Sequence, residues 1–314
     1  MSAGWAFLFP GQASQKVGMA RDLCEAWPEA RALFERADEA LGISLSSICF
    51  DGPEEELNQT AITQPAVFVH SVAACQKLLA GGIAPQCVAG HSLGEYAALV
   101  AAGVFDFDTG LDLVVRRGRL MQDAGRQTPG AMGAVLGLDD KKVEELCSAA
   151  AAEGVVVAAN FNAPGQVVVS GEAAAVDRLG VLAEDAGASR FVRLGVSGAF
   201  HSPLMGPAAA EMEKLIAAVD FAAPRCPVIT NVGAAPVEDV DLLRQHLIDQ
   251  MTHSVRWTET FGQLAAMGFE RALEVGPGAV LKGLGRRIER RVAVSAAGTV
   301  AAIDKAVAAH SEGD

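Results

Sequence analysis

Residues 86–105 read Q-C-V-A-G-H-S-L-G-E-Y-A-A-L-V-A-A-G-V-F, and much of the fold can be inferred from them. The apolar run that ends at Gly90 predicts a short β-strand. From Leu93 onward, apolar residues recur at i, i+3, i+4 and i+7, which is the spacing of an amphipathic helix. The residues from Gly90 to Gly94 match the pattern G-x-S-x-G, which marks a sharp turn from a strand into a helix.

Ser92 occupies the central position of this pattern. A serine on such a turn projects its hydroxyl out of the sheet, and the flanking glycines let the backbone turn sharply. The adjacent helix N-terminus offers unpaired N–H groups to a developing oxyanion. A glycine-rich turn with a capping serine is the alternative. The strand and helix on either side favour a catalytic nucleophile.

The whole chain has 314 residues, which corresponds to about two domains. Residues 1–127 and 198–314 alternate between predicted strands and helices, which is typical of a mainly parallel sheet covered on both faces. Residues 128–197 predict strand, helix, two strands, helix and strand, the order of the ferredoxin-like unit. We therefore expect a discontinuous large α/β domain with a small subdomain inserted into it.

The predicted elements have the following limits. The strands are expected at 6–9, 86–90, 131–138, 155–160, 166–170, 190–196, 227–230 and 271–275. The helices are expected at 65–79, 93–105, 108–124, 139–153, 173–186 and 242–250, with others beginning after the Pro10-Gly11-Gln12 turn, at 203 and after Gly278.

Composition excludes several classes of partner. The chain carries 25 basic and 38 acidic residues, a net charge of −13, and nucleic-acid binding requires the opposite sign. The first fifteen residues lack both the basic segment and the long apolar run of a signal peptide. No charge-free helical stretch approaches the roughly 20 residues of a membrane span.

Cysteine and histidine spacing also indicates the compartment and the absence of a metal site. The six cysteines show no C-x-x-C pair, which is typical of a protein in a reducing compartment. The six histidines include no H-x-x-x-H pair, so no zinc site is expected. We expect a cytoplasmic protein without a bound metal.

A serine nucleophile needs a base. His91 is adjacent, but at such a turn its side chain would point away from the Ser92 hydroxyl. His201 lies in the segment 198–203, G-A-F-H-S-P, between a predicted strand and helix, where catalytic groups are often displayed. His201 is the better candidate, and a structural histidine is the alternative that the sequence leaves open.

Arg117 lies on the predicted helix 108–124, and its neighbours three and four residues away on both sides are apolar. A guanidinium on an apolar flank is costly unless it meets an anion. Its planar fork suits a carboxylate bound through two hydrogen bonds. A structural ion pair with an Asp or Glu is the alternative. Near the N-terminus, the turn at Pro10-Gly11-Gln12 could supply a second oxyanion N–H, or be a plain turn.

Five motifs occur in order along the chain: F-P-G-Q-A-S-Q at 9–15, G-H-S-L-G-E at 90–95, R-R-G-R-L-M at 116–121, G-A-F-H-S at 198–202 and E-V-G-P-G at 274–278. Together they resemble the malonyl-CoA:acyl carrier protein transacylases of bacterial type II fatty acid synthesis, over about residues 6–291. The resemblance implies an α/β-hydrolase-like large domain with an inserted ferredoxin-like subdomain. It also implies a monomer with no permanently bound cofactor, acting on malonyl-CoA and acyl carrier protein.

The resemblance also assigns roles to residues. It makes Ser92 the nucleophile, His201 its base and Arg117 the group that holds the malonyl carboxylate. It implies that the main-chain carbonyl of Gln250 orients the histidine, and that an oxyanion is stabilised by the backbone N–H groups of Gln12 and Leu93. The other expected substrate-binding residues are Met121, Asn162 and Phe200, and Phe200 fits the unbranched malonyl group.

An acidic chain that binds two acidic substrates needs basic residues at its docking surface. We expect a docking rim for the carrier protein formed by Arg190, Arg193, Lys282, Arg286 and Arg287. Three alternative functions remain open. The chain could be an acyltransferase of the same family in a polyketide or malonate decarboxylase system, a serine esterase or thioesterase, or a non-catalytic module that binds a carrier protein.

Overall fold

A computed structural model describes residues 4–196 and 198–311. Its strands are β1 (Trp5–Phe9), β2 (Pro85–Gly90), β3 (Ala131–Leu136), β4 (Val156–Ala163), β5 (Gln166–Gly171), β6 (Arg190–Arg193), β7 (Val228–Ile229), β8 (Pro236–Val237), β9 (Arg271–Glu274) and β10 (Ala293–Ala296).

Its helices are α1 (Arg21–Ala26), α2 (Pro28–Leu41), α3 (Leu45–Asp51), α4 (Glu54–Leu57), α5 (Thr60–Ala80), α6 (Gly94–Ala102), α7 (Phe107–Gln127), α8 (Asp140–Ala150), α9 (Ala173–Asp185), α10 (Gly206–Ala217), α11 (Val240–Asp249), α12 (Trp257–Ala266), α13 (Val280–Ile288) and α14 (Val300–Ser311). Short 3₁₀ helices lie at Ala151–Glu153 and Pro203–Met205.

The larger sheet has the strand order β10-β9-β1-β2-β7-β8, and all its pairs are parallel except β7 with β8. Every residue of the central strand β1 is buried, as expected for a strand covered on both faces. Phe9 and Gly90 are partners at the ends of β1 and β2. The turns that follow these two strands therefore meet at the carboxyl edge of the sheet, where α/β folds place their ligands.

The smaller sheet has the order β4-β5-β3-β6 and is antiparallel. Helices α8 and α9 pack with its strands around a separate apolar core. The chain order of strand, helix, two strands, helix and strand confirms the predicted ferredoxin-like arrangement. The subdomain limits 128 and 197 stay a prediction. Residues 1–3, 197 and 312–314, which include the predicted limits 1, 197 and 314, lie outside the described residues.

Strand β4 is hydrogen-bonded to the segment that precedes α12. Its Phe161 N–H donates to the Val255 carbonyl at 2.9 Å, and the Val255 N–H donates to the Ala159 carbonyl at 2.8 Å. The Ser254 hydroxyl adds a hydrogen bond of 2.6 Å to the Ala158 carbonyl. The segment that precedes α12 is therefore held against the small sheet, and a cleft lies between this sheet and the carboxyl edge of the large one.

Several element limits differ from those predicted. Helix α5 begins at Thr60, five residues before the predicted start at Pro65, and continues through that proline. Strand β6 ends at Arg193 instead of Val196. The helix expected after the Pro10-Gly11-Gln12 turn begins only at Arg21, and helices α2 to α4, α12 and α14 and the strands β8 and β10 were not predicted. No described helix is both long and apolar enough to cross a membrane.

Candidate active site

The turn after β2 carries Ser92 with φ of +50°, in the left-handed region that only glycine adopts without strain. Such a conformation costs on the order of 1–3 kcal/mol and is typical of functional sites. The flanking glycines are required by close contacts. A Cβ on Gly90 would lie 2.0 Å from the Gly94 carbonyl carbon, and a Cβ on Gly94 would lie 2.0 Å from the Phe9 oxygen.

Ser92 and His201 lie in hydrogen-bond contact although 109 residues separate them. The Ser92 Oγ is 2.7 Å from His201 Nε2. On the other side of the ring, Nδ1 lies 2.9 Å from the Gln250 carbonyl and 3.2 Å from the His253 carbonyl. Because carbonyl oxygens only accept, Nδ1 carries the proton, and Nε2 is free to accept the serine proton.

His201 is buried, with 4% of its surface exposed. Burial and, to a lesser extent, the positive charge of Arg117 lower the pKa of His201 from 6.5 to about 3. Both causes disfavour the imidazolium form. The imidazole is therefore neutral near pH 7, the state that a base requires.

Arg117 projects from α7 into the same site and is 1% exposed. Its Nη1 donates to Gln64 Oε1 at 2.7 Å, and its Nη2 donates to Gln250 Oε1 at 3.0 Å and to Ser92 Oγ at 3.1 Å. Its Nε, also buried, has no hydrogen-bond partner in the part of the chain that the structure describes. Within residues 4–196 and 198–311, no carboxylate lies within 4.0 Å of this guanidinium. The structural ion pair that the sequence left open is therefore not formed.

A buried guanidinium without a carboxylate partner is electrostatically unfavourable, and burial lowers the pKa of Arg117. The centroid of the Tyr96 ring lies 5.5 Å from the central carbon of the guanidinium, a cation–π contact that offsets part of this cost. The site thus presents a positive charge, with spare hydrogen-bonding capacity, beside a serine hydroxyl. An acyl group that ends in a carboxylate matches this arrangement.

Gln250 contacts three other residues of the site. Besides its main-chain contact with His201, its Oε1 accepts from Arg117 and its Nε2 donates to the Ser92 carbonyl at 3.0 Å. This residue comes directly after α11 and is 1% exposed. The expected main-chain contact is present, and the side-chain contacts were not predicted.

The cleft contains a cavity of about 380 Å³ that reaches Ser92. Among the predicted site residues it is lined by Gln12, Ser92, Leu93, Arg117, Met121, Phe200 and His201. The backbone N–H groups of Gln12 and Leu93 have no hydrogen-bond partner among the described residues. A larger cavity of about 880 Å³, between α5, α6 and the residues after α10, is lined by none of the predicted site residues.

Asn162 does not line the Ser92 cavity. Its Oδ1 lies 2.8 Å from His91 Nε2, and both residues line a neighbouring cavity of about 290 Å³ beside α13. The His91 ring packs against Trp257, with 5.4 Å between ring centroids. The His91 ring therefore contacts Asn162 and Trp257 and not the Ser92 hydroxyl, as expected from its position in the turn.

The five basic residues expected at a docking rim separate into two groups. Strand β6, with Arg190 and Arg193, is one edge of the small sheet, and α13 packs beside β4 at the other edge. Three strand spacings, roughly 14 Å in total, separate these edges. Arg193 pairs with Asp177 of α9.

Helix α13 carries Lys282, which is half-buried, and Arg286 and Arg287, which are exposed. Arg287 also donates to the Pro164 carbonyl at 3.1 Å, at the end of the small sheet. The compact basic group therefore lies on α13, beside the cavity that contains Asn162.

Three buried polar residues of the site were missed by sequence analysis: Gln64, Glu95 and Asn231. Each is a polar side chain in an apolar surrounding, as Arg117 is, and that signal could have identified Gln64 and Glu95. Asn231 follows a two-residue strand and has no local pattern that marks it. In the described part of the chain, no three His, Cys, Asp or Glu side chains are grouped so that they could hold a metal ion.

Comparison with known proteins identifies the family. A model of the acyl transferase domain matches residues 6–309. The malonyl CoA-acyl carrier protein transacylase of Escherichia coli (strain K12) is 45% identical over 293 residues, which covers 93% of this chain and 95% of that protein. A polyketide biosynthesis malonyl CoA-acyl carrier protein transacylase of Bacillus velezensis is 43% identical over 293 residues, which covers 93% and 99% of the two chains.

A solved structure shows the same similarity. A malonyl-transacylase in complex with a type II PKS acyl-carrier protein superposes with a TM-score of 0.94 at 41% identity, covering 98% of this chain and all of that one. The resemblance drawn from the five sequence motifs is confirmed. The chain belongs to the acyl transferase domain family and, within it, to the malonyl CoA-acyl carrier protein transacylases.

Proposed function

We propose that the protein transfers a malonyl group from malonyl-CoA to the phosphopantetheine thiol of acyl carrier protein, through a malonyl ester on Ser92, and so supplies fatty acid synthesis. One observation carries the proposal. The Ser92 Oγ lies 2.7 Å from a neutral histidine and 3.1 Å from the nitrogen of a buried arginine that has no carboxylate partner among the described residues.

The first half-reaction makes the ester. His201 Nε2 takes the hydroxyl proton while Ser92 Oγ attacks the thioester carbonyl carbon. The N–H groups of Gln12 and Leu93 donate to the tetrahedral oxyanion. The carbon–sulfur bond then breaks, and the coenzyme A sulfur leaves with the proton that His201 returns.

Arg117 gives the reaction its selectivity. The free carboxylate of the malonyl group pairs with the guanidinium, whereas an acetyl group leaves that buried charge without a counterion. Binding of the carboxylate also offsets the positive charge that lowers the pKa of His201.

The second half-reaction reverses the first with another thiol. The phosphopantetheine thiol gives its proton to His201 and attacks the ester carbonyl, and the Ser92 oxygen leaves as a hydroxyl. One thioester replaces another, so the exchange needs no other source of energy. Because all the steps use side chains and N–H groups of this chain, we propose that no resident cofactor is required.

The carrier protein is acidic, so we propose that the basic group on α13 receives it. Lys282, Arg286 and Arg287 lie beside the cavity that continues from the Ser92 cleft towards α13. We also propose that the protein acts in the cytoplasm, where its six buried cysteines stay as free thiols.

Service in a polyketide pathway is a second candidate, favoured by the 43% identical relative of Bacillus velezensis. The chemistry at Ser92 would be the same, and only the carrier protein would differ. Initial rates of malonyl transfer to purified fatty acid and polyketide carrier proteins separate the two functions. A higher kcat/KM for the fatty acid carrier protein supports our proposal, and a higher value for the polyketide carrier protein contradicts it.

A serine esterase has the same kind of turn around its nucleophile, so an esterase is the other function to be tested. The same assay therefore also measures the release of free malonate. We expect slow hydrolysis of malonyl-CoA without an acceptor and rapid transfer when the carrier protein is added. Hydrolysis at the same rate with and without carrier protein would identify an esterase.

A further inference from the structure

Asn231 lies two residues after the end of β7 and is 1% exposed. Its carboxamide contacts both ends of the turn that carries Ser92. Oδ1 accepts from the Ser92 N–H at 2.6 Å, and Nδ2 donates to the Gly90 carbonyl at 2.6 Å. These partners fix the orientation of the amide, because an N–H must face its oxygen and a carbonyl must face its nitrogen. A single side chain is thus hydrogen-bonded to both ends of the Ser92 turn.

Glu95, three residues after Ser92, is also 1% exposed. Its Oε2 accepts a hydrogen bond of 2.8 Å from the Asn231 backbone N–H and another from Asn231 Nδ2. The carboxylate therefore binds both the main chain and the side chain of Asn231. No step of the proposed reaction uses Glu95, and neither residue lines the Ser92 cavity.

The main chain of Asn231 contacts the other half of the site. Its carbonyl accepts from the Arg256 N–H at 3.2 Å. Arg256 comes three residues after His253, whose carbonyl, with that of Gln250, holds His201 Nδ1. Asn231 is thus bonded through its side chain to the serine turn and through its backbone to the segment that orients the histidine.

We infer that Asn231, locked in orientation by Glu95, is a positioning residue that holds the strained Ser92 turn so that its Oγ meets His201 Nε2. The inference rests on the proposed roles of Ser92 and His201. Neither Asn231 nor Glu95 touches the reacting atoms, and Asn231 acts on them through the Ser92 backbone. A misplacement of about 1 Å at a reacting group can cost about 100-fold in rate.

The test measures single-turnover acylation of Ser92 by malonyl-CoA, followed by intact mass as a function of time and of malonyl-CoA concentration. Asn231→Ala removes the amide. Asn231→Asp places two carboxyl groups face to face, and adding Glu95→Gln to it restores a donor–acceptor pair between these two side chains but not the hydrogen bond to the Gly90 carbonyl. Thr230→Val is the matched control, because Thr230 directly precedes Asn231 and its hydroxyl makes a part-buried hydrogen bond with His246, outside the Ser92 turn.

We expect Asn231→Ala to lower the maximal acylation rate about 100-fold, with half-saturation by malonyl-CoA within twofold of the parent value. The control should lose thermal stability and keep its rate. The double variant should acylate at least tenfold faster than Asn231→Asp alone, a rescue that a general loss of stability would not produce.

A rate within threefold of the parent for Asn231→Ala would overturn the inference. So would a double variant no faster than Asn231→Asp, and this comparison decides the question if the alanine variant does not fold. Labelling by phenylmethylsulfonyl fluoride is measured in parallel. If malonyl-CoA fails to label even the parent protein, the proposed function fails, and the sulfonyl fluoride rates still test the positioning of Ser92.

Discussion

Replacement of Arg117 by alanine separates recognition of malonyl from the chemistry of the serine. The guanidinium is 1% exposed, and no described carboxylate lies within 4.0 Å of it. In the complex that we propose, the malonyl carboxylate supplies the missing partner. In Arg117→Ala that carboxylate would enter a buried site with no counterion, so the variant loses the ability to favour malonyl over acetyl.

The expected magnitude follows from the burial. Breaking one side of a buried charge pair costs about 3–5 kcal/mol, which corresponds to roughly 150- to 5000-fold in kcat/KM. Arg117 also donates to Ser92 Oγ and Gln250 Oε1, so its loss slows both substrates. In the ratio of kcat/KM for malonyl-CoA to kcat/KM for acetyl-CoA this shared effect cancels. The ratio therefore measures the contribution of the contact between Arg117 and the substrate carboxylate.

The assay compares initial transfer rates from malonyl-CoA and acetyl-CoA to the same carrier protein. Arg116→Ala is the control, since Arg116 is exposed on the same helix and pairs with Asp112 at 2.9 Å. An exposed pair of this kind contributes little, and the substrate ratio should stay within twofold of the parent value. If Arg117→Ala keeps the malonyl preference of the parent, the assignment of Arg117 to the substrate carboxylate is refuted.

Two further predictions concern stability and docking. Burial lowers the pKa of His70 from 6.5 to about 4, so between these pH values the unfolded chain binds a proton that the folded chain does not. The free energy of unfolding should therefore fall as the pH drops from 6.5 to 4, by about 3 kcal/mol from this residue. Denaturant titrations at several pH values should show that the unfolding free energy of His70→Gln depends less steeply on pH than that of the parent protein. An equal dependence on pH would contradict the effect of burial. Charge reversal at both Arg286 and Arg287 should raise the KM for the carrier protein about tenfold and leave the KM for malonyl-CoA unchanged. An unchanged KM for the carrier protein would exclude α13 as the docking helix.

The features that could be predicted from sequence are those fixed by local backbone demands. Gly90 and Gly94 are needed because neighbouring backbone approaches within 2.0 Å of where a Cβ would lie, and this need shows in the sequence as G-x-S-x-G. Arg117 could be selected because its helical neighbours are apolar. The order of elements in the inserted subdomain follows from alternating patterns, and its strand pairing is as that order predicts.

The remaining features depend on tertiary contacts that no local pattern encodes. Gln64 reaches Arg117 across 53 residues, and Asn231 reaches Ser92 across 139, so the sequence neighbours of these two residues do not reveal their partners in the site. The basic residues expected at the docking rim could likewise not be placed from local sequence. Only the strand order places Arg190 and Arg193 at the sheet edge opposite to α13.

Intact-mass measurement after brief exposure to malonyl-CoA tests most directly whether Ser92 carries the acyl group. The parent protein should gain the mass of one malonyl group, located on the peptide that contains Ser92, and should lose it when holo-acyl carrier protein is added. Ser92→Ala should gain no mass under the same conditions. An adduct of equal yield on Ser92→Ala, or a malonyl group on another residue of the parent, would contradict the account.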